Sequence, residues 1–416
     1  MKVLLCLLSD QPVPNLLSVH HFQPDHLVLI ETAKMKLQKT AARFLKALQI
    51  GGLDYNKRNV PLALEREDDL ESITRCVKQA FGQFSSAEWI VNLTGGTKPM
   101  SIATYEFFKG VGRRLIYINV ARPAEILPMD GRAVENCAYR LSMEQFLAAY
   151  GFESAKRKET ILRDELRARR LWPATLQVAR HGLDEGWLHL SPDQRSFGRK
   201  KGLDLQPREL RSPHHDMQQA LKDALQLTES EGSLVGKPDK YDVQFLTGGW
   251  LEVFLWGLLD QHQQALNIWD VHLGVAARKT GVKTENDIDV AFLHNHSLCT
   301  LECKSGLQEH DKDADVLYKV EAVIRQFEAL RVRSYLATTS PHVYGKGGDL
   351  KANIQDRSTL HRCTVIHKQR LRELAESPDS IETVRDVFFP KVVTPLSGTG
   401  GLTQEQNHDR EERETA

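Results

Sequence analysis

Asp289, Glu302 and Lys304 are the residues of this chain whose types and spacing could do chemistry. Asn286-Asp287-Ile288-Asp289-Val290-Ala291-Phe292-Leu293 is followed by the polar His294-Asn295-His296-Ser297, then by Leu298-Cys299-Thr300-Leu301-Glu302-Cys303-Lys304. Two apolar runs around a short polar break predict a β-hairpin. Alternation puts Glu302 and Lys304 on one face of the return strand and Cys303 on the other. Asp289, at the start of the first strand, comes beside them in a plausible register. Two acids and a lysine at one end of an apolar hairpin need a reason, because unpaired buried charge is costly. A divalent metal supplies one: hard carboxylate oxygens suit Mg²⁺ or Mn²⁺, which activates water and polarises a phosphodiester.

An E-x-K triplet alone is weak evidence in a chain with 26% charged residues, and an exposed edge strand carries Glu and Lys without catalysis. The context strengthens it. The apolar segment Gly249 to Leu259 precedes the hairpin and carries one acid, Glu252, and an amphipathic segment from Ala314 to Leu330 follows it. Helix, strand, strand and helix with acids at these places resembles the PD-(D/E)-x-K nuclease core, a restriction-endonuclease-like α/β fold. The resemblance implies that Asp289 and Glu302 hold the metal and that Lys304 orients the attacking water or stabilises developing charge. Glu252 takes the place of the accessory acid on the first helix. The motif's proline is absent before Asp289, as in many members.

At 416 residues and 41% hydrophobic content, the chain has room for two or three domains. Lys plus Arg equals Asp plus Glu at 55 each, so any polyanion site must be local rather than a global field. No apolar run approaches the roughly 20 residues of a membrane span. Met1 to Asp10 reads as a buried first strand rather than a signal peptide, its apolar stretch being short and lacking a cleavage-like site. The six cysteines are scattered without a C-x-x-C pair, and Cys6 and Cys299 fall in apolar strand patterns. These features point to a cytoplasmic protein with neither a disulfide framework nor a zinc site.

Residues 1–150 alternate strand and helix. Apolar runs at Val3 to Leu8, His26 to Ile30, Trp89 to Leu93 and Leu115 to Val120 are separated by helical patterns at Thr32 to Leu48, Asp68 to Phe84 and Pro99 to Gly110. This predicts a parallel, doubly wound sheet. Residues 151–235 read as a linking or bridging region. Between 151 and 210 there are 13 Lys/Arg against 9 Asp/Glu, with Arg163, Arg167, Arg169 and Arg170 on one helix as a solvated face or a phosphate-contacting stripe. A helical pattern follows at His214 to Leu227, residues 236–390 hold the hairpin domain, and 391–416 read as a disordered tail.

Asn92-Leu93-Thr94-Gly95-Gly96-Thr97-Lys98-Pro99-Met100-Ser101 follows a strand and opens a helix. The glycines permit a tight turn, Pro99 suits a first helical position, and free N–H groups with Thr94, Thr97 and Lys98 make an anion site. The pattern is neither a P-loop nor a dinucleotide fingerprint. A Rossmann-like domain with Thr-Gly-Gly-Thr-Lys-x-Met in this place resembles the CARF domain of CRISPR-associated proteins. The resemblance assigns ligand binding to Thr94, Gly95, Gly96, Thr97, Lys98 and Met100, and to Ser9, Asp10 and Gln11 in a second loop.

Joined to the PD-(D/E)-x-K segments, the architecture is similar to the CARF nucleases of type III CRISPR systems, of the Can and Card kind. That similarity implies a homodimer binding a cyclic oligoadenylate across its two-fold axis, cyclic tetra-adenylate being usual, and a metal-dependent endonuclease of antiviral defence. One departure is Asp287, where relatives tend to have Glu; it bears on a peripheral contact. DNA or RNA as substrate, Mg²⁺ or Mn²⁺ as metal, ring size, and degradation of the ligand by the CARF domain all stay open. The rival readings are a nucleotide-sensing transcription regulator, which calls for a helix-turn-helix, and a constitutive restriction-type endonuclease.

Other candidates read as structural. His294-Asn295-His296 spells H-N-H, but three adjacent turn residues cannot form the ββα site of that name. His20-His21 and His214-His215 read as surface histidines, Trp250 and Trp256 as core, and Gly345 to Asp349 as a connecting loop.

Overall fold

Continuous apolar runs become the parallel strands β1 (Lys2–Leu7), β2 (His26–Glu31), β3 (Asn59–Ala63), β4 (Glu88–Asn92) and β5 (Arg114–Ile118). The computed structural model describes residues 1–119, 122–184, 186–306, 332–344, 350–360 and 363–390. The strand order is β3-β2-β1-β4-β5, so the direction of winding reverses between β1 and β4. β1, β2 and β4 are buried along nearly their whole length, as strands covered on both faces must be. β3 is half-exposed and contains Pro61, an edge-strand signature rather than an apolar run. The sheet is not purely parallel as expected: β6 (Glu125–Pro128) and β7 (Glu135–Asn136) extend it antiparallel beyond β5. The helix expected over Thr32 to Leu48 is two, Ala33–Leu37 and Thr40–Ile50, broken where Lys39 takes a left-handed φ of 57°.

A second sheet has the order β15-β14-β13-β12-β11-β8. It contains β8 (Phe152–Ser154), β11 (Ile268–Lys279), β12 (Glu285–His294), β13 (Ser297–Lys304), β14 (Arg333–Thr338) and β15 (Cys363–Ile366). β13, β14 and β15 run parallel and the remaining pairs antiparallel. A separate hairpin joins β9 (Thr228–Ser230) to β10 (Ser233–Val235).

Residues 151–235 do more than bridge. β8 closes one edge of the second sheet, and the helix Lys158–His181 packs on the helix Trp250–Gln261, where any Cβ at Gly257 would strike the Trp172 ring. The four clustered arginines of Lys158–His181 are neutralised locally. Arg167 pairs with Asp239 at 3.0 Å, Arg169 with Asp260 at 2.8 Å and Arg170 with Asp242 at 3.7 Å, while Arg163 meets Asp164 at 3.5 Å. They hold helices together and do not form an open phosphate stripe.

The second sheet is covered on both faces. One core joins Trp250, Phe254 and Trp256 to Val290, Phe292 and Leu301; the other joins Val275, Ala291, Leu293 and Leu298 to Leu4, Phe44 and Phe146 of the first domain. Trp250 and Trp256 are therefore core residues. His20 departs from expectation: it is buried, stacked on Tyr139 with ring centroids 3.6 Å apart. No helix among the described residues is long and apolar enough to cross a membrane. The expected helix at Ala314 to Leu330, the loop at Gly345 to Asp349 and the 391–416 tail lie outside the described residues.

Candidate active site and anion loop

The hairpin is built by its turn. Asn295 and His296 take φ values of 49° and 54°, the paired left-handed conformation of a type I′ turn, and His294 pairs with Ser297 across it. His296 is buried against Trp269, with ring centroids 5.0 Å apart, so this H-N-H is a structural turn. Val290 pairs with Leu301, and extending that register by one residue brings Asp289 toward Glu302. Asp289 lies well inside β12, which begins at Glu285, rather than at its start. Its Oδ2 accepts a hydrogen bond from the Cys303 N–H at 2.6 Å, and Lys304 Nζ forms an ion pair with Glu302 Oε1. Cys303 turns into the helix-side core while Glu302 and Lys304 remain partly exposed. Asp287 is exposed near the strand's outer end.

Glu252 faces this group from the first turn of its helix. A π-helical turn, Phe245–Gly249, precedes that helix, and Gly248 takes a φ of 145°. A Cβ at Gly248 would lie 2.5 Å from Ser305 Oγ, so glycine lets the turn close onto the residue after Lys304. Burial, then the neighbouring Asp289 charge, raises the Glu252 carboxyl to about 8. Burial and Glu302 raise Asp289 to about 6, although the Cys303 N–H partly offsets them. Burial alone would lower the Lys304 ammonium, but Glu302 and Asp289 hold it above the ordinary lysine range. Crowded carboxylates in a partly enclosed site favour the approach of a cation. In the described residues no three His, Cys, Asp or Glu side chains form a closed metal cage, so Glu302 would have to leave Lys304 to join Asp289 and Glu252 on one ion.

The glycine loop lies at the carboxyl end of β4, beside that of β1, where the sheet's winding reverses. A Cβ at Gly95 would overlap the Leu7 carbonyl, and Gly96 takes a φ of 74°. Asn92 is buried, donates to Asn15 Oδ1 at 2.9 Å and accepts from the Thr94 N–H at 3.0 Å. The Thr94 hydroxyl donates to Asn92 Oδ1 at 2.7 Å and accepts from Ile118 N–H at 2.7 Å, so it fastens the loop. Thr97 caps the helix Lys98–Gly110, accepting from Met100 N–H at 3.4 Å. Met100, expected to touch ligand, is instead fully buried beneath Gly96 and supports the turn. Lys98 is exposed at the helix start. In the β1 loop Ser9 Oγ accepts from the Gln11 N–H at 3.2 Å, and Asp10 pairs with Lys34 at 2.7 Å.

Residues 3–146 match the family described as the Card1 CARF domain, and residues 239–375 match the Card1-like endonuclease domain. The chain belongs to the Card1-like CARF endonucleases. No curated protein matches it significantly. Among solved structures it is similar to Can2 from Sulfobacillus thermosulfidooxidans in complex with cyclic tetra-adenylate. That match has 21% identity, covers 93% of this chain and 99% of Can2, and has a TM-score of 0.64. It is also similar to protein VC1899 from Vibrio cholerae, at 17% identity and a TM-score of 0.72, covering 92% of this chain and 98% of that one.

Sequence reasoning missed two cations that pack beside the Card1-like endonuclease domain. Lys156 Nζ lies 2.8 Å from where a Gly274 Cβ would stand, pairs with Asp164 at 2.8 Å, and its charge bears on Glu252. Arg199 holds Thr247 Oγ1 at 2.7 Å and the Thr247 carbonyl at 2.5 Å, bracing the turn before Glu252. Both lie in 151–235, far in sequence from the motif. Asn15 and Ser101 were missed as well. Ser101 Oγ donates among the Leu93, Gly95 and Thr97 carbonyls at 3.1 to 3.3 Å, and a serine one turn into a glycine-opened helix was the available signal.

Proposed function

We propose that this chain is a cyclic-oligoadenylate-activated, metal-dependent endonuclease of type III CRISPR defence, acting as a homodimer on DNA or RNA. The observation that carries the catalytic half is the meeting of Asp289, Glu302 and Lys304 at one end of the hairpin, with Glu252 facing them and the carboxyls of Asp289 and Glu252 raised. Asp289, Glu302 and Glu252 would hold the metal; bound there, Mg²⁺ or Mn²⁺ supplies an activated water and neutralises phosphate charge. Asp289 is held in place by the Cys303 N–H. Lys304, an ammonium paired with Glu302, stands ready to orient the water or steady charge on the phosphate once that pair opens. Burial and the Asp289 charge favour the protonated form of Glu252, and a bound cation would favour its carboxylate instead.

The activator reading rests on the glycine loop at the sheet's reversal point and on the CARF match over residues 3–146. Can2 was captured with cyclic tetra-adenylate, and that ring is the activator proposed for this chain. Backbone N–H groups of Gly95 to Lys98, the Lys98 ammonium and the Ser9 to Gln11 loop would take its phosphates. Isologous pairing would set two copies of the loop around one symmetric ring. The test is incubation of purified protein with plasmid DNA and labelled RNA, with and without cyclic tetra-adenylate and divalent metal. Cleavage that needs both additions supports the reading; cleavage independent of the ring points to a constitutive nuclease.

A further inference from the structure

We propose that the outer face of the helix Pro192–Lys201 is a docking platform for single-stranded nucleic acid, leading the strand to the catalytic hairpin. The inference rests on the nuclease reading and adds to it a substrate-binding surface. The helix is firmly built. Ser191 caps it through the Gln194 N–H at 3.2 Å, and Gly202 ends it with a φ of 84°. Its inner face is docked closely, since a Cβ at Gly198 would come 2.8 Å from Val243. Arg199 ties its last turn to Thr247, and the Arg199 and Glu252 charges act on each other, so the helix borders the catalytic group.

The outer face is different. Phe197 is 60% exposed on an otherwise strongly polar helix, and Lys200 and Lys201 follow at i+3 and i+4, on the same side. Both lysines are exposed, and among the described residues neither has an acid in ion-pair range. The contrast with Lys158–His181 decides which cations are available. There Arg167, Arg169 and Arg170 are each matched by an aspartate, whereas Lys200 and Lys201, about two turns from the helix's acid Asp193, are left for an outside anion. An exposed aromatic ring beside unneutralised cations fits a single strand, whose bases stack on the ring and whose phosphates meet the cations.

The test uses full-length E302A protein with cyclic tetra-adenylate, binding a labelled oligothymidine. F197A should weaken binding about tenfold, while F197W should retain it. K200A/K201A should lower the slope of log affinity against log salt by about 1.4, or about 0.7 for each lost phosphate contact. Cyclic tetra-adenylate binding and dimer mass should stay at the parent values in these variants. The platform is overturned if the parent binds oligothymidine and the variants bind it equally well. It is also overturned if F197A dissociates a dimer, which would make Phe197 an interface between copies. If wild-type protein neither binds nor cuts nucleic acid, the nuclease reading itself falls.

Discussion

Gln11 of the β1 loop and His296 of the hairpin turn line one small crevice, together with Pro123, Phe146 and Tyr150. His296 packs on Trp269, whose indole N–H donates to the Leu141 carbonyl at 2.7 Å. β13 runs from this turn to Lys304, so the proposed catalytic hairpin has one end against the CARF domain and the other at Glu302 and Lys304. A shared core joins the same strands to that domain. If a shift at the β1 loop reaches Glu302 and Lys304, this hairpin is a continuous element between them.

Removing a metal ligand should separate chemistry from sensing. D289A and E302A should abolish cleavage while cyclic tetra-adenylate binding persists, and K304A should slow cleavage by about 10²-fold or more. Gel assays of cleavage beside calorimetry of ring binding check this. Near wild-type cleavage by E302A would remove Glu302 from the site.

The raised acids give a pH dependence with a definite sign. Glu252 binds a proton more tightly in the folded chain, about 8 against 4.5 for the free group. Without metal, its favourable contribution to folding is complete below about pH 4.5 and is lost as pH rises toward 8. Metal-free E252Q should therefore show a shallower fall in stability across that window than wild type. Denaturant melts at stepped pH measure it, and added Mn²⁺ should stabilise the wild type most at the alkaline end.

Much of this was legible in the sequence, for reasons particular residues show. The hairpin and its acids were readable because alternation and a two-residue turn are local properties of residues 286–304. The glycine loop was readable because Gly95 and Gly96 mark close approach and a left-handed φ. Lys156 and Arg199 were not, since only tertiary folding brings them to Gly274 and Thr247. β8 was hidden as a three-residue edge strand, and β3 by exposure and proline. Met100 fitted the ligand motif yet lies beneath the loop, because its periodicity is that of the helix core.

The glycine loop should be intolerant at Gly95 and tunable at Lys98. G95A forces a Cβ into the Leu7 carbonyl and should abolish ring binding with the catalytic residues untouched. K98A should weaken ring binding and raise the concentration needed for activation, with cleavage recovering at saturation. Ring titrations followed by cleavage check both; loss of cleavage by K98A at normal ring affinity would contradict the division between the sites.

If the hairpin transmits the signal, binding at the two ends must be linked. In E302A protein, nucleic acid should tighten cyclic tetra-adenylate affinity by the factor by which the ring tightens nucleic-acid affinity, about 5- to 150-fold. H296A should reduce that factor toward one while leaving each ligand able to bind alone. One ring should saturate each dimer.

The central claim is that a cyclic oligoadenylate at the glycine loop switches on metal-dependent cutting at Asp289, Glu302 and Lys304. The most direct measurement is the initial cleavage rate of nucleic acid by wild-type protein in Mn²⁺, with and without saturating cyclic tetra-adenylate. The account predicts strong stimulation by the ring, abolished by E302A and by chelation of the metal. An equal rate with and without the ring, under conditions where the ring is bound, would contradict it.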